Sequence, residues 1–286
     1  MVNSSFQKAE SGSMAGATRS LLPPVLLPML RRLRGRSIRY VGNFGSWKEA
    51  QARSDGYDSV TILDRVTAAT RKVLAGNASF ERDSVCFDIP DYRWPLVASL
   101  LWVAAQNCGK LDVVDFGGSL ASTYLQNRQF LAGLEQVRWS VLEQPAFVRR
   151  GEELFPRGLP EFRSRVEDCT HKGSRQLLLL SSVLQYLSRP YEVLAYLQMH
   201  QFPYVIVDRT PVVLKSASDR LTVQIVPSSI YPASYPCWFL SLDRLKQHFL
   251  PAYRIVAELP CDEMTTVGGV EYRGFLFERE STEPGI

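Results

Sequence analysis

The sequence is poor in metal-ligating and disulfide-forming residues, with only three histidines and five cysteines among 286 residues. Cys86, Cys108, Cys169, Cys237 and Cys261 are odd in number and widely spaced, with no C-x-x-C pair and no Cys/His cluster. A disulfide framework is not expected, and neither is zinc or any other metal. Reduced cysteines fit a cytoplasmic protein. Long apolar runs are also lacking. Residues 21–30 (LLPPVLLPML) are ten in number and include three prolines, whereas a spanning helix needs about 20 apolar residues. Arginines follow that run, the reverse of the order in a signal peptide. Charge of one sign is scarce overall, with a net charge of +4 and 22% charged residues. Residues 1–40 hold seven basic residues against one acid, which leaves −2 for residues 41–286. The body is therefore no basic nucleic-acid binder. No internal repeat is visible.

What the chain does have is a short apolar run that ends in a carboxylate, a glycine pair and a hydroxyl: LDVVDFGGS, residues 111–119. A helical pattern follows over 121–136. Strand, carboxylate, glycine turn and helix read as a nucleotide-cofactor pocket, because glycines let backbone N–H groups approach a ligand and a helix N-terminus attracts its anionic part; the alternative is a strand ending in an ordinary Gly-Gly turn. A dinucleotide site wants three glycines, G-x-G-x-x-G. Here the third position is Ala121 and the pattern is D-x-G-G-S, which favours S-adenosylmethionine over NAD.

The remaining chain falls into three parts. Residues 1–40 form a basic leader whose first 20 residues are Ser/Gly/Ala-rich. Residues 21–39 either contact a membrane surface peripherally or dock their leucines on the body. Residues 41–110 read as a helical cap. Within it Ser46 and Glu49 form a capping box for a helix over 46–53, a second helix spans 60–74, and the almost wholly apolar stretch 94–106 is a buried helix. Residues 111–286 alternate strands with helices. The strands are expected at 111–115, 138–142, 163–167, 176–181, 203–208, 252–258 and 272–278. The helices are expected at 121–136, 145–155, 189–199 and 241–249. This alternation predicts an α/β, Rossmann-like, doubly wound seven-stranded sheet, mostly parallel with an antiparallel edge. Ligands in such sheets bind beyond the carboxyl ends of the strands.

Those ends carry polar residues. Asp115 ends the first strand. Glu143 follows the second, where an acid accepts ribose hydroxyls or is only solvated before a turn. Asp168 follows the third, as an adenine acceptor or a helix cap. Ser181 and Ser182 end the fourth, and Asp208 with Arg209 the fifth.

Taken together, VVDFGGSLAS, VLEQPAFVRRG, LLLLSSVLQYLSRPYEVL and YVIVDRTP resemble, in order and spacing, class I S-adenosylmethionine-dependent methyltransferases. More narrowly the chain is similar to a bacterial methyltransferase family associated with surface-polysaccharide gene clusters. The resemblance rests on NFGSWKEA, ERDSVCFD, DFGGSLAS, SSVLQYL, DRTP, PSSIYPASYPCWF and RGFLFER and covers roughly residues 40–280. It implies S-adenosyl-L-methionine as cofactor, with Asp115, Gly117, Gly118 and Ser119 forming the cofactor turn. It places Glu143 on the ribose, Asp168 on the adenine, and Ser181 and Ser182 beside the methionine moiety. Ala121 and Gln176 depart from the family's usual glycine and acid.

The acceptor implied is a small molecule or glycan, methylated at oxygen. A sugar hydroxyl is weakly acidic, so a base helps. Candidates are Asp208, which can equally be an ion-pair partner of a neighbouring arginine, His171, Asp83 and His248. Arg82 and Asp83 in ERDSV either fold over the cofactor mouth or form only a helix-end salt link. Residues 228–238, with Tyr231, Tyr235 and Trp238, read as either an aromatic lid for the acceptor or a packing loop. The competing reading is a catalytically inactive methyltransferase-like protein that serves as a binding or scaffold partner.

Overall fold

The computed structural model describes residues 38–54, 59–156, 158–170, 175–227, 233–263, 265 and 267–280. His171, Tyr231 and residues 1–37, including most of the leader considered for membrane contact, lie outside them. Among the described residues, no helix is long and apolar enough to cross a membrane.

The central sheet matches the expected α/β pattern closely. Its parallel body is β4 (Lys110–Phe116), β5 (Gln136–Leu142), β6 (Glu161–Arg163), β7 (Leu177–Ser181) and β8 (Tyr204–Val213), in the spatial order β6-β5-β4-β7-β8. Beyond β8 comes β12 (Val270–Arg279), antiparallel to it, and then β11 (Tyr253–Pro260). The antiparallel strand is thus one place in from the edge. The helices between these strands are α4 (Ser122–Leu131), α5 (Pro145–Leu154), α6 (Pro190–Gln198) and α7 (Leu242–Phe249).

The apolar runs explain this layering. Successive strand side chains point to opposite faces, so a run without polar breaks needs cover on both. In β7, Leu177 and Leu179 pack on one face and Leu178 and Leu180 on the other, all fully buried. The first face is covered by α2 (Ser59–Leu74) and α3 (Trp94–Gln106), through Ile62, Val66, Leu96, Leu100 and Val103. The second is covered by α6 and α7, through Leu194, Leu197, Leu245 and Phe249. Burying one such leucine stabilises the fold by about 1.5–3 kcal/mol.

Some elements differ from expectation. The third strand is shorter and earlier than 163–167, and residues 166–168 form a 3-10 turn instead. The sheet also has a branch. β1 (Arg39–Phe44), β9 (Arg220–Val226) and β10 (Ala233–Ser241) form an antiparallel ribbon that joins the far end of β8 through Leu240 and Ser241. The segment read as either an aromatic lid or a packing loop is therefore, from Ala233 onward, a strand. Pro236 is tolerated because β10 pairs only with β9 at that point, so no second ladder needs its missing N–H.

The cap begins with α1 (Trp47–Ala52), which is capped as expected: the Ser46 hydroxyl accepts the Glu49 N–H. The Glu49 carboxylate accepts from Gly45 N–H, one residue before the usual capping-box donor. A hairpin of β2 (Phe80–Arg82) and β3 (Val85–Phe87) follows α2. Its turn residues Asp83 and Ser84 have φ of 52° and 65°, and positive φ at both centres is what a tight two-residue hairpin of this hand requires.

Candidate functional site at the carboxyl edge of the sheet

Strand order reverses between β4 and β7, because the chain runs from β4 outward to β6 and then returns to β7 on the other side. Such a reversal opens a crevice at the carboxyl ends of the two strands. The loops after β4 and β7 meet there. A Cβ on Gly117 would fall 2.5 Å from Val183, and one on Gly118 would fall 2.5 Å from the Asp115 carboxylate. Only glycine fits at either position, and Gly117 also has φ of 72°.

Several non-glycine residues at these strand ends share that left-handed backbone: Ser119 (56°), Ala121 (66°), Ser182 (56°) and Arg209 (51°). Each costs of order 1 kcal/mol or more and persists only where the surroundings impose it, often at functional sites. Ala121 is the N-cap of α4 and offers no side-chain acceptor to the first helical N–H groups. It adopts a glycine-like conformation while its methyl is fully buried.

Asp115 is buried beneath the turn and accepts the Trp139 indole N–H at 3.0 Å. Burial pushes its carboxyl up to about 7, with the Glu143 charge adding to the rise and the Trp139 hydrogen bond opposing it. Glu143, just after β5, is tied to the same turn. Its Oε1 accepts Ser119 N–H at 3.2 Å and its Oε2 accepts Gln144 N–H at 2.9 Å. Burial raises Glu143 as well, against those two donors. Ser181 Oγ donates to Asp208 Oδ2 at 3.0 Å, and Ser182 N–H donates to the Asp208 carbonyl at 2.9 Å. Thus Asp115, Gly117, Gly118, Ser119, Glu143, Ser181 and Ser182 converge. Asp168 stands apart, exposed in the 3-10 turn after β6.

Asp208 itself is fully buried and lies 2.6 Å from the buried Arg93. This makes it the counter-ion of Arg93, the ion-pair alternative that its sequence context had left open, although the partner is not the adjacent Arg209. Arg209 instead meets Glu263 at 2.7 Å and Asp83 at 3.7 Å. Arg82 lies 4.0 Å from Glu263, so Arg82, Asp83 and Arg209 do cluster.

The β2–β3 hairpin rests on the cofactor-type turn. Glu81 is buried, and its carboxylate accepts from the Ser122 hydroxyl at the head of α4 and from Ser84 N–H at 3.1 Å. Burial, with Asp83 nearby, pushes Glu81 up to about 7.

Among the described residues of the segment considered as a lid, Tyr235 and Trp238 are engaged by the segment that follows β7. Trp238 donates its indole N–H to the Leu187 carbonyl and stacks on Trp47, 6.4 Å between ring centres. Tyr235 packs edge-on against Tyr186 and its hydroxyl accepts from Gln224. Both are held inside the ribbon. His248 lies on α7 beside Tyr191, away from the crevice.

Glu81, Arg93 and Glu263 escaped the sequence reading. Arg93 had a usable signal, since it is a charge set directly before the apolar stretch 94–106. Glu263 had none, because its partners lie 54 or more positions away in sequence by residue number.

Comparison with known proteins returned no matching family model and no matching curated protein. Solved structures of similar shape include the N-terminal domain of EvdMO1 in the presence of SAH and D-fucose, with 15% identity, TM-score 0.45, and coverage of 79% of this chain and 98% of that one. Another is the 1,6-didemethyltoxoflavin-N1-methyltransferase of Burkholderia thailandensis, with 14% identity, TM-score 0.44, and coverage of 86% and 96%. The mitomycin 7-O-methyltransferase MmcR shows 16% identity, TM-score 0.38, and coverage of 93% and 76%. The fold description rests on the strand order given above and not on these distant similarities.

Proposed function

We propose that the protein is an S-adenosylmethionine-dependent methyltransferase that methylates a small molecule or carbohydrate at oxygen, in the cytoplasm, within surface-polysaccharide assembly. The observation that carries the reading is the turn from Gly117 to Ser119. It wraps the buried Asp115 and is pinned by Glu143 from the next strand. A dinucleotide needs a third glycine for close helix packing; here that position is Ala121, whose methyl is itself packed in the core.

The residues fit the cofactor. Both glycine positions exclude any side chain, leaving backbone for the ligand. Glu143 would hold the ribose diol, its carboxylate already oriented by Ser119 and Gln144. Ser181 and Ser182 would flank the amino-acid end across the crevice. When bound, the cofactor supplies an electrophilic methyl group on a sulfonium leaving group. The chain then has to orient the acceptor, exclude water and take a proton. The β2–β3 hairpin, anchored through Glu81 and Ser122, covers the mouth. Asp208 holds Arg93 in place and is given no proton-transfer role.

Calorimetry with the demethylated cofactor, S-adenosylhomocysteine, tests the reading. The parent protein should bind, and Gly118→Ala should lose at least tenfold, because its methyl meets a buried carboxylate that cannot move aside. Absence of binding by the parent, or equal binding by Gly118→Ala, defeats the proposal.

A further inference from the structure

We propose that the acceptor is an anion, and that Arg82 and Arg209 grip its carboxylate or phosphate group at a site that Glu263 fills in its absence. The placement beside a methyl donor rests on the methyltransferase reading; the anion site itself does not.

Three guanidinium groups approach one carboxylate. Arg93, Arg82 and Arg209 lie 3.4, 4.0 and 2.7 Å from Glu263. Arg93 has its own partner in Asp208 at 2.6 Å, with both side chains out of solvent. Arg82 and Arg209 have no equivalent. Their other acidic contacts are Asp91 and Asp83, each a single approach of 3.7 Å to a side chain 68% and 67% exposed. Exposed pairs of that length are screened by water and contribute little. The two arginines are themselves mostly covered, at 24% and 15% exposure.

Their donors are not all used. Arg82 Nη2 and Arg209 Nε are buried without a hydrogen bond, although Arg209 Nε is close to Glu263 in distance. A buried, unpaired donor on a charged group is destabilising. Arg82 is also held below the ordinary arginine range by burial and by the charge of Arg209. Burial lowers Arg209 too, but the Asp83, Glu263 and Asp208 charges outweigh it, so what the pair lacks is not negative charge but hydrogen-bond acceptors placed at Arg82 Nη2 and Arg209 Nε. A carboxylate or phosphate offers two or three in a geometry that guanidinium forks match.

The location is right for an acceptor. Arg82 directly follows Glu81, which bonds Ser122 at the start of α4. Arg209 directly follows Asp208, which bonds Ser181 and Ser182. The two arginines are thus neighbours, one carried by the β2–β3 hairpin and the other by β8, and both reach Glu263. Glu263, in the loop between β11 and β12, supplies the carboxylate that an incoming anion replaces.

The test is a titration with D-glucuronate, D-glucose 6-phosphate and, as the uncharged control, D-glucose, followed by chemical-shift perturbation on the full chain. At least one anion should bind and glucose should not. Glu263→Gln, which removes the internal competitor, should tighten the anion several-fold. Arg82→Gln/Arg209→Gln should weaken it at least tenfold while S-adenosylhomocysteine affinity stays within about threefold. Equal response to glucose and both anions, unchanged anion affinity in the double variant, or no gain in Glu263→Gln each overturns the proposal. Failure of S-adenosylhomocysteine to bind the parent protein overturns the methyltransferase reading and leaves the anion titration readable by itself.

Discussion

Replacing Arg93 with methionine isolates the charge that the strand-end architecture depends on. Methionine keeps most of the side-chain length, so the packing before α3 changes little. What disappears is the 2.6 Å pairing with Asp208, a carboxylate with no solvent exposure, together with the longer 3.4 Å pairing with Glu263. Asp208 is then left with the Ser181 hydroxyl at 3.0 Å. Breaking a buried ion pair from one side costs about 3–5 kcal/mol, because the remaining charge has no compensation. In a chain of this size each kcal/mol moves the melting temperature by about 2–4 °C, so the loss should be on the order of 10 °C. Urea unfolding gives the free energy directly. The double variant Arg93→Met/Asp208→Leu removes both charges, so its cost should be smaller than the sum of the single costs by more than about 1 kcal/mol. A cost of under about 1 kcal/mol for Arg93→Met would refute the argument, since the pair would then behave as a solvated one.

Other outcomes follow from the same geometry. In Gly151→Ala a Cβ would sit 2.4 Å from the Phe162 ring, where α5 packs on β6; overpacking of this kind costs about 1–3 kcal/mol, readable by chemical denaturation. Ala121→Gly relieves a left-handed backbone worth about 1–2 kcal/mol but gives up a buried methyl worth about 0.8 kcal/mol, so its melting temperature should stay within a few degrees of the parent's. Asp115 has a folded-state pKa of about 7, above the unfolded value of about 4. The folded state therefore binds more protons across that interval. The stability this supplies is complete below about pH 4 and is lost as pH rises to about 7. Asp115→Asn keeps an acceptor for Trp139 and should flatten the fall in melting temperature between about pH 5 and 7; an unchanged slope contradicts the assignment.

The parallel sheet was readable because its strands are buried on both faces. LLLL at 177–180 and YVIV at 204–207 can be neither amphipathic helices nor half-exposed strands, and the helix 94–106 was read to the residue for the same reason. The glycine turn after β4 was readable because its residues are local, with carboxylate, glycines and helix start lying within ten residues. The β1–β9–β10 ribbon was not. Its strands are defined by pairing partners far away in sequence, as Arg39 with Ile225, and Pro236 hides the strand period of β10. The aromatic residues of that segment then looked free to form a lid when they are packed on Trp47 and Tyr186.

The acceptor side of the site is where local reading stops for a physical reason. Each half of a long-range ion pair looks in sequence like an ordinary solvated charge, and most charges are. Arg82 and Arg209 gain meaning only when the hairpin, the end of β8 and the loop after β11 are brought within 4.0 Å of one carboxylate. The excess of guanidinium donors over buried acceptors is a property of that assembly and of no segment within it. A turn built from one loop can therefore be read from sequence, whereas a cluster assembled from three distant segments emerges only from the fold.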